Sequence, residues 1–327
     1  MKHETAIRTM ISADSVGLCD CIRRCYGNAY ANRLMYEPTV LAEQLSSRAY
    51  RGVVAVRGTD IVGHIGYNFP NPSATVVEAG TTVVDPACRG AGLLSQLAQA
   101  LQENIIADRA VGFLHYPTTA HTVMQKASLK SGGCETGIML AYLPPEARDL
   151  AIGGSGEDRL AVTVVYQPLA QATARALFLP DRYGSLIMDF AKRLLLCRTS
   201  AGDHANPTGT TRIRQITDQH SRRDRFIVNR IGDDLIDRIT SAIENSDAGV
   251  SHVDLSMDQP EVHHAVERLR KLGFAFCAWL PGWNESDVLR LQFLKEPTSG
   301  ELHPNLHSPA AGQLAALIRN ELQGSIN

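Results

Sequence analysis

Residues 83–94 read Val-Val-Asp-Pro-Ala-Cys-Arg-Gly-Ala-Gly-Leu-Leu, and no other segment of the chain is as informative. An apolar strand runs into an Asp-Pro turn, a glycine-rich basic loop follows, and then an amphipathic helix begins. A strand that leads into a helix N-terminus presents free backbone N–H groups, which form a ready site for an anion. Glycines let the backbone approach a phosphate closely, and the Arg89 guanidinium adds positive charge. The segment therefore predicts a phosphate-binding loop.

Two common phosphate-binding motifs are excluded at this loop. No Gly-Lys-Ser/Thr follows it, so it is not a Walker A motif. The pattern G-x-G-x-x-G also fails, and no acidic residue is suitably placed downstream, which excludes the dinucleotide fingerprint. A phosphate-binding loop is therefore indicated by the strand before the loop and the helix after it.

The segments around the loop alternate between strand and helix patterns. Strands are predicted over residues 53–56, 60–69, 76–84 and 111–116, and helices over 14–26, 93–106 and 121–130. In the helix after the loop, Leu94, Leu97, Leu101 and Ile105 recur at helical spacing and share one face.

Residues 78–86, Glu-Ala-Gly-Thr-Thr-Val-Val-Asp-Pro, and residues 89–93, Arg-Gly-Ala-Gly-Leu, resemble the central motif of the GNAT N-acetyltransferase superfamily. The resemblance covers about residues 4–145. It implies that two adjacent strands splay apart to admit the pantetheine arm of acetyl-CoA, and that the loop holds its pyrophosphate. The implied cofactor contacts are Val83, Val84, Arg89, Gly90, Ala91, Gly92, Leu93, Leu94 and His121. Leu94 departs from the family, which usually has a small residue there.

Glu78 lies where many members of that family carry a carboxylate on the central strand. The resemblance implies that it takes the proton of the acceptor amine, often through a water molecule. Burial among apolar strands would raise its pKa, which suits a base working near neutral pH. Two alternatives stay open, a glutamate that faces solvent and one that only fixes the acceptor's ammonium group.

The general acid of the family is usually a tyrosine in the helix that Ser128 occupies here. Serine can hydrogen-bond a thiolate, but it is a poor acid. His115, Tyr116 and His121 have hydrogen-bonding tips near the expected splay, and each could replace the missing tyrosine. Cys88 invites a covalent route, but that route needs a neighbouring base and the sequence names none. Direct acyl transfer is therefore predicted.

A loop at residues 27–38 contains two aromatic residues, Tyr30 and Tyr36. In the related family this region lies over the acceptor site, so Tyr30 and Tyr36 would shape acceptor specificity. The alternative is that both rings only pack the loop against the fold.

A break is predicted near Pro144-Pro145 and residues 153–156, Gly-Gly-Ser-Gly. We expect an α/β (α+β) protein with two GNAT-like domains, each a mixed, mostly antiparallel sheet flanked by helices. Residues 1–150 would form the acetyltransferase domain. Residues 151–327, in which Leu160 to Tyr166 is the first strand, would form a degenerate GNAT-like domain with a C-terminal helix. No second phosphate loop is present in that half.

The chain has 327 residues and a net charge of −2, which argues against a nucleic-acid partner. Residues 222–225, Arg-Arg-Asp-Arg, mix both signs of charge and are typical of a solvated surface. No apolar run could span a bilayer, and Met1 to Asp14 have no signal-peptide pattern, so we expect a cytoplasmic protein without a membrane partner.

Seven cysteines with irregular spacing indicate free thiols. Cys19, Cys21 and Cys25 are expected to be buried on one helix rather than to bind a metal, and the pair His263-His264 is interpreted in the same way. No metal cofactor is predicted.

Two functions compete at this stage. The first is an acetyl-CoA-dependent N-acetyltransferase, which Glu78 and the intact strand, loop and helix favour. The second is a non-catalytic acyl-CoA-binding protein that regulates a partner, which Ser128 favours. The acceptor would be a small-molecule or peptide amine whose identity the sequence does not reveal, and a homodimer is left open.

Overall fold

The computed structural model describes residues 4–147 and 157–324. The strands are β1 (Thr5–Thr9), β2 (Arg51–Arg57), β3 (Asp60–Asn68), β4 (Val76–Val84), β5 (Gly112–His115), β6 (Cys134–Leu143), β7 (Leu160–Pro168), β8 (Arg175–Leu177), β9 (Arg198–Ser200), β10 (Arg212–Asp218), β11 (Arg223–Arg230), β12 (Val250–Ser256), β13 (Ala275–Asn284) and β14 (Ser286–Leu294). The helices are α1 (Ser15–Tyr26), α2 (Pro38–Ser46), α3 (Leu93–Ala107), α4 (Val123–Lys130), α5 (Gly184–Arg193), α6 (Leu235–Glu244), α7 (Val262–Lys271), α8 (Ser299–Leu302) and α9 (Pro309–Gly324).

Twelve strands form one sheet in the order β1-β2-β3-β4-β5-β7-β6-β13-β14-β12-β11-β10. Its pairs are antiparallel except for β4 with β5 and β11 with β12, which are parallel. The predicted fold class, a mixed and mostly antiparallel sheet flanked by helices, is confirmed. The two sheets that the sequence predicted are joined edge to edge into one.

The order of strands repeats in the two halves of the sheet. The run β3-β4-β5-β7-β6 in one half corresponds to β10-β11-β12-β14-β13 in the other. In both, a helix connects the two parallel strands and a second helix follows them, α3 and α4 in one half, α6 and α7 in the other. The halves meet where Gly137 of β6 pairs with Ala278 of β13.

The position of β7 differs from the prediction. This strand was expected to open the second domain, but it pairs with β5 on one side and β6 on the other. By its pairing, the first half of the sheet therefore extends to Pro168. The reason is that β7 fills a gap between two strands that precede it in the chain, which local sequence patterns do not record. Of the predicted break, Pro144-Pro145 directly follow the end of β6 at Leu143, and residues 153–156 lie outside the described residues.

Helices pack on both faces of the first half. Leu97, Leu101 and Ile105 of α3 are buried against one face together with Phe113. On the other face, α1 buries its apolar side in a separate cluster that includes Val83 of β4. Burial of each such side chain contributes about 1.5–3 kcal/mol. These two layers fix β4, the strand that carries Glu78.

The cysteines are free thiols, and Cys19, Cys21 and Cys25 of α1 are buried. None of the helices in residues 4–147 and 157–324 combines the length and apolar character that crossing a membrane requires.

Candidate active site

The parallel strands β4 and β5 separate at the centre of the first half. Their pairing runs from Val76 with Gly112 to Ala79 with His115, and then ends. β5 stops at His115, whereas β4 continues for five residues to Val84. Thr81 has a φ of +54°, so β4 bends at this point, and its register against β3 shifts nearby. The opening is the splay that the sequence predicted.

The glycine loop lies at the end of β4. Gly90 and Gly92 have φ values of +78° and +73°, a region that favours glycine. A Cβ atom added at either glycine would meet no atom within 4 Å, so this side of the loop is open. α3 begins directly afterwards, and the Gly92 cap has no side chain to occupy the first N–H groups of the helix. These groups and the N-terminal end of the helix dipole favour an anion.

Asp85 holds the turn before the loop. Its carboxylate accepts a hydrogen bond from the Ala87 N–H at 3.0 Å, and the Arg24 Nε donates to it at 2.5 Å. These bonds lower the pKa of Asp85 against the effect of its burial. The Arg89 Nε donates to the Val84 carbonyl at 3.1 Å. The loop is therefore tied to the strand by local contacts.

A cavity of about 970 Å³ extends from the loop through the splay. It falls in the size range of sites for small molecules and cofactors. Its lining includes eight of the nine predicted cofactor contacts, namely Val83, Val84, Arg89, Gly90, Gly92, Leu93, Leu94 and His121. Ala91 is not part of the lining.

Glu78 and Tyr116 lie on one face of the sheet and line the same cavity. Glu78 stands opposite Leu114 of β5, and Tyr116 comes two residues later along that chain segment. Burial raises the pKa of Glu78, and three arginines of the second half, Arg225, Arg290 and Arg223, oppose that rise. Burial also raises the pKa of Tyr116, and the nearby Glu78 adds to it.

His115 and Ser128 lie together on the opposite face. The Ser128 hydroxyl donates to the Met124 carbonyl at 2.7 Å and lies 3.5 Å from the His115 Nδ1. Ser128 does not line the cavity, whereas His115 does. Burial lowers the pKa of His115 to about 4, so its ring is neutral at neutral pH. Its Nε2 is buried and has no hydrogen-bond partner in the described parts of the chain.

The two aromatic residues of the 27–38 loop have different roles. The Tyr36 hydroxyl donates to the Gly27 carbonyl at 3.0 Å and accepts from the Tyr30 N–H at 2.9 Å, so this ring packs the loop. Tyr30 lines the cavity, and burial raises its pKa to about 12. Tyr36 therefore fits the packing alternative, and a role of Tyr30 in acceptor specificity stays a prediction.

Three residues that the sequence analysis missed also line the cavity, Tyr142 of β6, Asp218 of β10 and Arg223 of β11. Arg223 belongs to the charged segment that was expected to be a solvated surface. That expectation is wrong for Arg223, whose side chain is only 16% exposed. The alternating arginines and aspartates were the one indication in the sequence of a polar site here. Nothing in them indicated that β11 would face the first half.

One group among the described residues has the composition of a metal site. Asp181, His204 and His263 each offer a ligand atom, and these atoms all lie within 4.8 Å of one another. The two imidazole rings stack at 4.5 Å, and the Asp181 carboxylate lies 3.4 Å from the His204 Nε2. None of the three lines the cavity, so they take no part in the site described above.

Residues 16–123 match the family model described as the acetyltransferase (GNAT) family. This part of the chain is similar to GNAT acetyltransferases. The match covers about a third of the 327 residues and includes β4, the glycine loop and α3. Comparison with curated protein sequences gives no match.

Several solved structures are similar to about half of this chain. An N-acetyltransferase from Staphylococcus aureus Mu50 is 16% identical with a TM-score of 0.42, over 51% of this chain and 99% of its own. The structure of yncA from Salmonella typhimurium with its cofactor acetyl-CoA is 16% identical with a TM-score of 0.43, over 53% of this chain and 98% of its own. The ribosomal-protein-S18-alanine N-acetyltransferase from Escherichia coli is 12% identical with a TM-score of 0.42, over 54% of this chain and 100% of its own.

Proposed function

We propose that this chain is an acetyl-CoA-dependent N-acetyltransferase that transfers the acetyl group directly to an amine. One observation carries the proposal: the splay of β4 and β5, the glycine loop and Glu78 all open into a single cavity. The family match over the same segments supports the acyl-transfer class. The acceptor is proposed to be a small-molecule or peptide amine.

Acetyl-CoA would occupy the splay along β4. Its pyrophosphate would bind the backbone N–H groups of residues 89–94 and the N-terminus of α3. Its pantetheine arm would pair with the backbone of residues 80–84, whose side toward β5 has no strand partner after Ala79. This resembles the addition of a peptide strand to a sheet edge. The thioester would then lie between Glu78 and His115.

In the reaction, Glu78 would take a proton from the acceptor's ammonium group, directly or through water. The free amine nitrogen attacks the thioester carbonyl carbon, the new C–N bond forms, and the C–S bond breaks with its electron pair on sulfur. The amine nitrogen then releases its second proton to solvent, Glu78 returns its proton to solvent, and the product is an amide. A base with a raised pKa suits this step near neutral pH, and general-base catalysis typically contributes about 10²- to 10⁴-fold.

The leaving thiolate needs a hydrogen-bond donor more than a strong acid, because free thiols have a pKa of about 8.5. Ser128 is unsuitable, since its hydroxyl donates to Met124 and does not reach the cavity. The neutral His115 ring lines the cavity, and in the tautomer with its proton on the unpartnered Nε2 it has one N–H to donate. We propose that His115 stabilises the thiolate, which then takes a proton from solvent.

The alternative function is an acyl-CoA-binding protein without catalysis. It is favoured by the engaged hydroxyl of Ser128 at the place where the related family has a tyrosine acid. Titration calorimetry with acetyl-CoA, run beside a thiol-release assay on a panel of amines, separates the two. The proposal expects one acetyl-CoA per chain and amine-dependent thiol release. Tight binding without release for any amine would establish the alternative, and two equal sites would contradict the assignment to the first half.

A further inference from the structure

The second half of the chain forms part of the wall of the candidate active site. Asp218 and Arg223 line the cavity together with Tyr142. The Cζ atom of Arg223 lies 3.7 Å from the centre of the Tyr142 ring. The acceptor region is therefore completed by residues that lie outside the segment similar to GNAT acetyltransferases.

A second arginine stands beside Arg223 on β11. Arg225 is two residues further along this strand, so both side chains project to the same side of the sheet. Arg225 is paired in register with His252 of β12, and the Tyr142 ring lies 5.8 Å from the His252 ring. Tyr142 therefore lies against the face from which both arginines project. Arg223 lines the cavity, and Arg225 is its neighbour on this face without being part of the lining itself. We call Arg223 and Arg225 the arginine pair.

The charges around this face do not balance. Asp218 accepts from the Arg223 Nη2 at 2.7 Å, and Asp254 accepts two bonds from Arg290 at 2.6 and 2.8 Å. Arg225 has no ion pair or hydrogen bond with any described residue. Of the charged groups around Glu78, Arg225 has the largest effect on the Glu78 pKa, which places this cation within electrostatic range of the carboxylate.

We propose that the acceptor amine carries an anionic group, a carboxylate or a phosphate, which the arginine pair binds while the amine lies at Glu78. This inference rests on the proposed function. A guanidinium presents a planar fork of donors that matches both anions, and Arg225 has these donors free. An acceptor with both charges would place its ammonium at the carboxylate and its anion at the unpaired cation. The second half thereby selects the acceptor without binding acetyl-CoA.

The test uses matched amines with and without the anion. One arm pairs amino acids and dipeptides with their carboxamides, and the other pairs aminoalkyl phosphates with the parent amino alcohols. We expect kcat/KM to favour the anionic member of at least one arm by about 10- to 100-fold, the size of a hydrogen bond to a charged group. Whichever arm shows the preference identifies the anion as carboxylate or phosphate.

Arg225→Gln should abolish this preference and leave the KM for acetyl-CoA unchanged. The rates for neutral amines should lose only the shift in pH dependence that follows when Arg225 no longer opposes the raised pKa of Glu78, so the anionic and neutral members are compared at the same pH. Arg225→Lys, which keeps the charge, should restore part of it. Arg230→Gln is the matched control, because this arginine is exposed at the far end of the same strand. Melting temperatures of all variants identify any loss that comes from misfolding.

Equal rates for anionic and neutral amines would overturn the inference and leave the acetyltransferase intact. So would a preference that survives in Arg225→Gln. If no amine is acetylated, the proposed function fails, and calorimetry of the same amines with the CoA-bound protein then decides the inference. Preferential binding of the anionic members that requires Arg225 would still support it, whereas no binding or equal binding would overturn it.

Discussion

The two parallel strand pairs of the twelve-stranded sheet occupy the same place in its two halves, yet they differ in length. β4 and β5 pair over Val76–Ala79 and then separate. β11 and β12 pair over Arg223–Val228 without interruption. An unbroken ladder satisfies its own backbone groups, whereas the shorter one leaves part of β4 available to a ligand. The second half is thus closed where the first half is open.

The connections that follow these strands differ as well. In the first half, residues 85–92 include two glycines with positive φ before α3 begins. In the second half, only residues 231–234 separate β11 from α6. Asp234 is the residue before the first turn of that helix, and its carboxylate accepts from the Thr211 N–H at 2.7 Å instead of from the helix. A carboxylate at this end of the helix disfavours a second anion there.

Element order alone therefore does not create an opening between the parallel strands. Both halves share the arrangement of strands and helices, but the opening depends on the bend at Thr81 and on the glycine loop. These are local features of one short segment. Substitutions in the loop, at Glu78 and in the closed connection of the second half test how far the difference between the halves depends on them.

The largest effect is expected from Gly92→Glu, which places a carboxylate in the glycine loop. Like charges 4 Å apart near a protein surface repel by about 4 kcal/mol, so acetyl-CoA affinity should fall by about 100-fold or more. The added side chain has open space, and only the positive φ disfavours it. Calorimetry measures the affinity. Gly202→Glu is the control, because that glycine also has positive φ and open space. Equal loss of affinity in both variants would contradict the assignment of the loop.

Glu78→Gln tests the base. We expect kcat to fall by about 10²- to 10⁴-fold while acetyl-CoA affinity is retained, because the amide keeps the shape but cannot take a proton. A raised pKa means that the deprotonated base appears only at higher pH. The parental rate should therefore rise with pH through an apparent pKa above the ordinary value of about 4.3, and the variant should lack this rise. A kcat near the parental value would reduce Glu78 to a structural residue.

The same pKa shift has a consequence for stability. Because the folded state raises the pKa of Glu78, its contribution to stability is full at low pH and is lost as pH rises through the folded value. Glu78→Gln should therefore unfold at the same temperature as the parent, or higher, above neutral pH. Thermal melts at several pH values check this, and a lower melting temperature would show that the charged form is stabilised by the arginines.

Gly232→Ala probes the closed connection of the second half. A Cβ atom there would lie 2.3 Å from the Gly209 carbonyl oxygen and 2.5 Å from the Thr211 nitrogen. We expect a loss of about 1–3 kcal/mol in the free energy of unfolding, with unchanged acetyl-CoA affinity. Denaturant unfolding measures the loss, and Gly249→Ala, which meets no atom within 4 Å, should be nearly neutral. Weaker acetyl-CoA binding would mean that the second half contributes to the cofactor site.

The smallest effect is expected from Ser128→Ala. Its hydroxyl donates to the Met124 carbonyl, so its removal should cost about 1 kcal/mol of stability and change kcat by less than about fivefold. Steady-state kinetics provide the test, with Ser131→Ala in the same region as the control. A much larger loss of kcat would return Ser128 to the role of acid, at the expense of His115.

Local sequence patterns predicted the elements whose signals are local. The strand at residues 76–84, the loop and the helix after it were all predicted near their observed bounds, because apolar periodicity and glycine positions define them. β8, β9 and α8 were missed, since segments of three or four residues carry little periodicity. The predicted position of β7 differs from the observed one, because pairing between strands that are distant in sequence leaves no local pattern.

The candidate site divides in the same way. The proposed cofactor contacts, apart from His121, lie within residues 83–94 and were implied by the resemblance of that segment to the GNAT motif. Tyr142 and Arg223, by contrast, line the cavity from strands far along the chain. The sequence also placed Ser128 among the catalytic residues, and its engagement with Met124 depends on a rotamer that no pattern specifies. Residues that distant strands bring to one cavity could therefore be identified only from the structure.

The junction between the two halves determines what a shortened chain would do. At Gly137 a Cβ atom would lie 2.3 Å from Ala278, so the strands approach too closely there for any side chain. A fragment that stopped at residue 150 would lack β7 and leave a gap between β5 and β6. A fragment that ended after Pro168 would fill the gap but expose β6 as a bare edge, a template for pairing with another molecule. Two such fragments would meet through β6 and rebuild as a dimer the continuity that the intact polypeptide achieves by itself.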